Sequence, residues 1–248
     1  MFDHSYQPAQ DLLKNRVILI TGAGSGIGRA VALACARYGA DVVLLGKTVR
    51  KLESVYDEVA AQSAREPAIY PMDLLGAVAT DYDQLADTVM KEYGRLDGLI
   101  HNAALLGDLS PLEHYGLENW AKVMQVNVNA AFLMTRACLP LLRAAPDGSL
   151  VFTSSGVGRK GRAYWGAYAV SKFANEGMMQ VLADEMRDSE RTRVNCIDPG
   201  AVRTRMRAAA FPAEDPAKLV TPESIVAVYL YLMGGDSVGV NGQTIDAQ

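Results

Sequence analysis

The sequence predicts a doubly wound α/β fold, a parallel sheet of about seven strands with helices on both faces. Three observations carry this expectation. Short runs rich in Val, Ile and Leu alternate with longer helix-like stretches from Val17 to Ile245. These runs are apolar at successive positions rather than at every second one, as in strands covered on both faces. The first run passes directly into a glycine-rich turn, Thr21-Gly-Ala-Gly-Ser-Gly-Ile-Gly28, that opens a helix.

Taken in order, Val17–Ile20 is the first strand and the segment from the glycine turn to Tyr38 the first helix, with Gly39 as its C-cap. Asp41–Leu45 and Thr48–Gln62 form the second strand and helix. Ala68–Met72 is the third strand, followed by a helix through Leu85, Val89 and Tyr93. Leu99-Ile100 is the fourth strand. Leu117 to about Arg143 reads as one long helix with Pro140 near its end. Ser149–Thr153 is the fifth strand, Ala167–Asp188 another long helix, and Arg193–Ile197 the sixth strand. Pro222–Met233 is a helix and Gln243–Ile245 a last short strand. Right-handed crossovers leave few ways to order such strands. The stretch 201–221, with Pro212 and Pro216, lies outside the alternation and has the length of a lid.

The 248 residues carry no linker, repeat or low-complexity segment and read as a single domain, 1–248. A domain of this size buries roughly three quarters of the surface its unfolded chain exposes, so no metal or disulfide is needed to hold it. The net charge of −4 argues against general nucleic-acid binding, which needs a basic face. Cys35, Cys138 and Cys196 lack C-x-x-C spacing, which fits neither a zinc site nor a disulfide framework. Residues 1–16 are polar with no signal core, and no apolar run approaches the ~20 residues that span a bilayer. The expectation is a cytoplasmic protein with no metal and no membrane or nucleic-acid partner.

Gly22, Gly26 and Gly28 at the first strand-to-helix turn suit a backbone that must approach a pyrophosphate, with free N–H groups at the helix start. Gly24, Ser25 and Ile27 belong to the same turn. The end of the second strand normally faces the adenosine ribose, where a carboxylate would bind the NAD 2′-hydroxyl. Here it reads Leu45-Gly46-Lys47. Lys47 suits a 2′-phosphate and favours NADP over NAD; the alternative is a solvated lysine entering a helix. Arg29 points either to the same phosphate or outward. Tyr168 and Lys172, four apart near a helix start, share one face. An ammonium beside a phenol favours the phenolate and moves it toward useful pH. Ser155 lies thirteen residues before Tyr168, just past a strand end; its neighbour Ser154 has the same chemistry.

The glycine turn, His101-Asn102-Ala103-Ala104, Asn127, Ser155, Tyr168-x-x-x-Lys172 and Asp198-Pro199-Gly200-x-x-x-Thr204 occur in this order. From about Arg16 to Ile245 the chain resembles the short-chain dehydrogenase/reductase family, a Rossmann-type fold, in its compact single-domain branch. The segments beginning at Gln10, Leu105, Val126, Phe152 and Asp246 resemble its YciK subgroup of bacterial oxidoreductases. The resemblance implies hydride transfer between nicotinamide and a small carbonyl or alcohol substrate. It implies Tyr168 as general acid/base, Lys172 on the nicotinamide ribose and lowering the Tyr168 pKa, and Ser155 orienting the substrate oxygen. Asn127 would hold a water in a proton relay behind Lys172. Asp73, with Leu74 beside it, would contact adenine. Asn102 would steady the sheet, and Pro199, Gly200 and Thr204 would approach the nicotinamide. A homodimer or homotetramer assembled through long helices is also implied.

The chain departs from the family pattern at Ala104, where a glycine is usual, and at His101, read here as a packed or surface residue. Arg159, Lys160 and Arg162 form a basic run read as a solvated loop or subunit contact, with attraction of an anion as the alternative. Tyr164, Trp165, Met206 and Phe211 are candidates for an apolar substrate pocket. The rival to an enzyme is a non-catalytic NAD(P)-binding sensor or scaffold on the same fold.

Overall fold

The computed structural model describes residues 2–63, 66–187 and 191–248. Seven parallel strands form one sheet in the order β3-β2-β1-β4-β5-β6-β7. They are β1 Val17–Thr21, β2 Asp41–Gly46, β3 Ala68–Pro71, β4 Gly98–His101, β5 Gly148–Thr153, β6 Thr192–Asp198 and β7 Thr244–Asp246. The strand order reverses between β1 and β4, so the connections leaving these two strands part to opposite sides.

Side chains along each strand alternate between two cores. Ile18, Ile20, Val42, Leu44, Ile100 and Val151 pack under α1 (Gly26–Arg37), α2 (Val49–Ala60) and α8 (Val226–Met233). Leu19, Val43, Leu45, Leu99, Leu150 and Phe152 pack under α3 (Ala79–Tyr93), α5 (Ala130–Ala144) and α6 (Gly166–Glu185). This two-sided burial is why the strands read as unbroken apolar runs. Cys35, Cys138 and Cys196 are free thiols inside these cores. No helix among the described residues is long and apolar enough to cross a membrane.

Three elements differ from expectation. The stretch expected as one helix from Leu117 to Arg143 is α4 (Leu117–Met124), a π-helical turn at Gln125–Asn129, then α5. The wider turn is fastened by Asn127, whose Nδ2 donates to the Leu105 carbonyl at 2.9 Å while its Oδ1 accepts from the Leu105 N–H at 2.8 Å. Such single π turns cluster at functional sites. The stretch 201–221 contains a short helix, α7 (Arg205–Ala210), with Thr204 Oγ1 accepting from the Arg207 N–H at 3.1 Å as its cap. Pro222–Ile225 form a 3-10 turn that leads into α8. The expected end of the 167–188 helix at Asp188 lies outside the described residues.

The N-terminal edge of the sheet is tied by charge. Asp97, just before β4, accepts from the Val17 N–H at 2.9 Å and from Arg95 Nε at 2.8 Å. Asp147, just before β5, pairs with both Arg16 and Arg193. Arg193 is buried on β6, and its Nη2 also donates to the carbonyls of Leu232 at 3.3 Å and Gly234 at 3.1 Å at the end of α8. Burial pulls its pKa down to about 10. A buried guanidinium is tolerable only while its carboxylate is present. Asp147→Ala is therefore expected to lower the unfolding free energy by about 3 kcal/mol in urea melts. Asp83→Ala, which removes only an exposed pair with Arg136, is expected to change it by about 0.5 kcal/mol.

Candidate active site

A cleft of about 970 Å³ lies along the C-terminal ends of the strands, over the point where the strand order reverses. Thr21 ties its floor. Its Oγ1 accepts from the N–H groups of Asn102 and Ala103, both at 2.9 Å, and donates to the Ile100 carbonyl. Asn102 Nδ2 returns a bond to the Thr21 carbonyl at 3.0 Å. The ends of β1 and β4 are thus locked together where the cleft begins.

Gly22, Gly24, Ser25, Gly26 and Ile27 line one end of the cleft. Gly22 sits at φ +67, and a Cβ there would come 3.0 Å from Ala103 Cα. Gly28 differs from the expectation: it is buried behind the turn and does not line the cleft. A Cβ on it would lie 2.3 Å from the Gly22 carbonyl oxygen and 2.6 Å from Asn102 Nδ2. Its part is to let α1 pack against the turn. Ser25, the N-cap of α1, makes no side-chain cap, and the first turn carries no acidic residue. The leading N–H groups and the positive end of the dipole therefore face the cleft.

Lys47 is exposed at the end of β2 and borders the cleft with Thr48 and Lys51. Arg29 also borders it, but it pairs with Glu58 and lies 3.5 Å from Glu223, so its charge is already matched. Asp73 and Leu74 follow β3 along the same wall; Asp73 Oδ1 accepts from the Leu75 N–H at 3.1 Å. Pro199, Gly200 and Thr204 line the opposite wall. Asn102 and Ala104 lie between, so the extra methyl of Ala104 faces the cleft.

Tyr168, Lys172 and Ser155 meet at the inner end. Tyr168 and Lys172 stand one turn apart on α6, both buried, with Lys172 Nζ 5.4 Å from the Tyr168 ring centre. Ser155 lines the same end of the cleft, and its hydroxyl acts on the Tyr168 phenol to lower its pKa. Ser154 is buried beside it, and its Oγ has no partner among the described residues, which separates the two serines. Lys172 Nζ donates to the Thr153 carbonyl at 2.6 Å. Asn127 stands behind this group rather than in the cleft. Its Nδ2 also donates to Ser171 Oγ at 2.9 Å, and Ser171 donates to the Tyr168 carbonyl at 2.7 Å.

Burial dominates the electrostatics of the pair. Burial pushes the Tyr168 phenol up to about 12, opposed by the Ser155 hydrogen bond and reinforced by Asp198. Burial pulls Lys172 down to about 8, against the Coulombic pull of the Cys196, Glu176 and Asp198 sites. The ammonium is turned to Thr153, and removal of water from the phenolate outweighs any gain from it. His101 is packed, stacked 4.9 Å from Phe152 with Nε2 2.9 Å from Thr135 Oγ1. Burial, then the Lys172 charge, hold its pKa down to about 3. Of the apolar candidates, Trp165, Met206 and Phe211 line the cleft. Tyr164 does not: it is exposed, at φ +72.

Two features of the site escaped sequence reading. Lys51, in the first turn of α2 and four residues after Lys47, adds a second cation to the same wall, a signal present in the sequence. The Arg207–Glu214 pair on the cleft wall spans an irregular loop and leaves no periodic trace.

The sequence model of the short chain dehydrogenase family matches residues 16–215. The chain belongs to the short-chain dehydrogenase family. It is 56% identical over 243 residues to the uncharacterized oxidoreductase YciK of Escherichia coli strain K12, across 98% of this chain and 96% of that protein. The structure of yciK from E. coli superposes with a TM-score of 0.96 at 56% identity, covering 98% of this chain and 99% of that one. A short chain dehydrogenase from E. coli CFT073 complexed with NADPH has a TM-score of 0.95 at 56% identity, covering 97% and 100% of the two chains. The likeness to the YciK subgroup read from scattered segments is borne out. The short-chain dehydrogenase scaffold makes this an enzyme of the oxidoreductase type, with its cleft at the strand ends.

Proposed function

We propose that the protein is an NADP(H)-dependent oxidoreductase acting on a small carbonyl or alcohol, with Tyr168 as proton donor and acceptor. The observation that carries this reading is the convergence of Tyr168, Ser155 and Lys172 at one end of a cleft whose other end is the glycine turn and Lys47. The residues suit the cofactor. Gly22 and Gly24 line the cleft with their backbone packed close to Ala103 and Lys51, and the start of α1 is free to receive a pyrophosphate. Lys47 and Lys51 have no carboxylate partner among the described residues and suit a 2′-phosphate. The E. coli relative complexed with NADPH supports the same choice.

NADP(H), when bound, supplies or accepts the hydride. Ser155 orients the substrate oxygen by hydrogen bonding. The Tyr168 hydroxyl gives its proton to that oxygen in reduction and takes one from it in oxidation. Lys172 stands behind the ring, where its charge steadies the phenolate. Asn127 has both amide atoms engaged, so its part is to hold α6 against the backbone at Leu105. A relay water behind Lys172 would have to use the second lone pair of Oδ1. The stretch 201–221 acts as the lid, with α7 set over the cleft. Phe132 on α5 and Val170, Phe173 and Val181 on α6 are exposed, which supports assembly of copies through these helices. Three buried thiols with no disulfide support a reducing, cytoplasmic setting.

Fluorescence titration with NADPH and NADH, then a carbonyl panel with the preferred one, tests the reading. Tyr168→Phe is expected to bind NADPH within about twofold of the parent and to lose at least about a hundredfold in turnover. Turnover near the parent's would remove Tyr168 from the mechanism. NADPH binding with no turnover by the parent on any carbonyl would favour a sensor. Lys47→Glu is expected to weaken NADPH about tenfold more than NADH, a difference of about 1.4 kcal/mol; equal losses would contradict the 2′-phosphate contact.

The shifted groups also set a pH dependence. A phenol held near 12 is protonated throughout the neutral range, so reduction finds its acid ready. Oxidation needs the phenolate, whose fraction grows about tenfold per pH unit below the pKa. The kcat/KM for alcohol oxidation is therefore expected to climb with pH, and that for carbonyl reduction to stay level until Lys172 loses its charge near about 8. Oxidation that is flat from about pH 6 to 8 would exclude a phenolate formed from Tyr168 as its base.

A further inference from the structure

A second cavity of about 430 Å³ opens off the inner end of the cleft. It shares Ser155, Trp165, Gly200 and Arg207 with the cleft, and its own wall includes Lys160 and Arg162 from the loop after β5. Neither Lys47 nor the glycine turn borders it. These cations therefore face the space beside the Ser155 hydroxyl, remote from the phosphate end.

The charges in this recess do not cancel. Arg207 is neutralised by two bonds of 2.6 Å to Glu214 and lies 3.8 Å over the Phe211 ring. Arg159, first of the basic run, turns away to Asp246 at 2.6 Å. Among the described residues Asp198 is the single carboxylate lining the cavity, and its Oδ1 accepts from the Gly200 N–H. Lys160 and Arg162 have no carboxylate partner among the described residues. A chain of net charge −4 thus directs two unmatched cations into one recess bordered by Trp165, which concentrates their field. The path to them is apolar: the Tyr168 ring lies 5.7 Å from Trp165, Trp165 lies 5.8 Å from Phe211, and the Arg162 guanidinium lies 5.5 Å from Phe211.

We infer that the substrate is a small oxo or hydroxy acid, with its reacting carbon at Ser155 and Tyr168, a short apolar body against Trp165 and Phe211, and a carboxylate held by Lys160 and Arg162. The reaction named here rests on the oxidoreductase reading; the anion subsite rests on the cavity itself. A guanidinium matches a carboxylate with two parallel N–H donors, and the lysine adds a point charge.

The test compares matched acids and amides: levulinate with levulinamide, and para-acetylbenzoate with para-acetylbenzamide. Calorimetric titration of the protein saturated with NADP+ reads binding, and NADPH oxidation reads turnover. In at least one pair the acid is expected to bind about tenfold tighter than its amide, with the preference shrinking as salt rises. Lys160→Gln with Arg162→Gln is expected to bring the acid-to-amide ratio near one, and Arg162→Glu to reverse it. Both side chains are exposed, so neither change threatens the fold. Equal affinity for acid and amide in every pair, or a preference that survives the double substitution, overturns the inference. A charge preference in binding without any turnover sustains the subsite while the hydride-transfer reading fails. Turnover without charge preference does the reverse.

Discussion

The hydrogen bonds between Thr21 and Asn102 set the geometry on which the cleft depends. They join β1 to β4 at the place where the sheet changes direction, so the two strand ends cannot drift apart although their helices leave on opposite faces. The glycine turn must then fit between this joint and α1. Gly28 has no room for a methyl because the Gly22 carbonyl and the Asn102 amide already occupy it. Close packing behind the turn is what leaves the α1 N–H groups aimed into open space in front of it. A cradle of free backbone N–H groups is thus a by-product of how tightly the first crossover is drawn.

The two edges of the sheet divide the labour. At the N-terminal edge, Asp147 and Asp97 match the arginines around them, and Asp97 also holds the Val17 N–H of β1. At the C-terminal edge, polar groups are left less satisfied. Among the described residues Ser154 Oγ is buried without a partner, and the Lys172 ammonium has a carbonyl at Thr153 but no paired carboxylate. Burial there shifts the phenol and the ammonium in directions that disfavour charge on both. That cost is borne by the matched network at the other edge and by two continuous apolar cores. A positive charge arriving near the phenol would act in the same dry setting, where it counts for more than in water.

The elements were legible because strands buried on both faces leave an unmistakable apolar run, and the glycine spacing marked the first crossover. Tyr168 and Lys172 could be placed on one helix face from spacing alone. What escaped depended on contacts between distant segments. Nothing in the periodicity of 117–143 distinguishes a π turn from a regular one; the Leu105 backbone, brought alongside by folding, captures Asn127 and widens the helix. The direction of Arg29 depended on Glu58 and Glu223, and that of Arg159 on Asp246. The Tyr168 pKa escaped for a related reason. Spacing brings the ammonium near the ring, but only the fold shows that it bonds to Thr153 and that water is excluded from both groups.

The same contrast governs charge. A net charge of −4 describes solution behaviour at a distance, and it says little about a recess a few ångströms across. Screening over about 8 Å at physiological salt makes the local arrangement decisive for a ligand inside the cleft. Here the acidic residues near the cleft are largely engaged: Glu58 with Arg29, Glu214 with Arg207, Asp246 with Arg159. Lys47 with Lys51 and Arg203 with Arg205 border the cleft without a carboxylate partner among the described residues, and Lys160 with Arg162 border the recess beside Ser155. Under the proposed function, cations on both sides of a buried Tyr168 suit two anionic partners that meet at their uncharged parts. Hydride transfer requires that meeting: the reacting carbons must touch, while the charged groups that anchor each molecule stay in water-accessible rims.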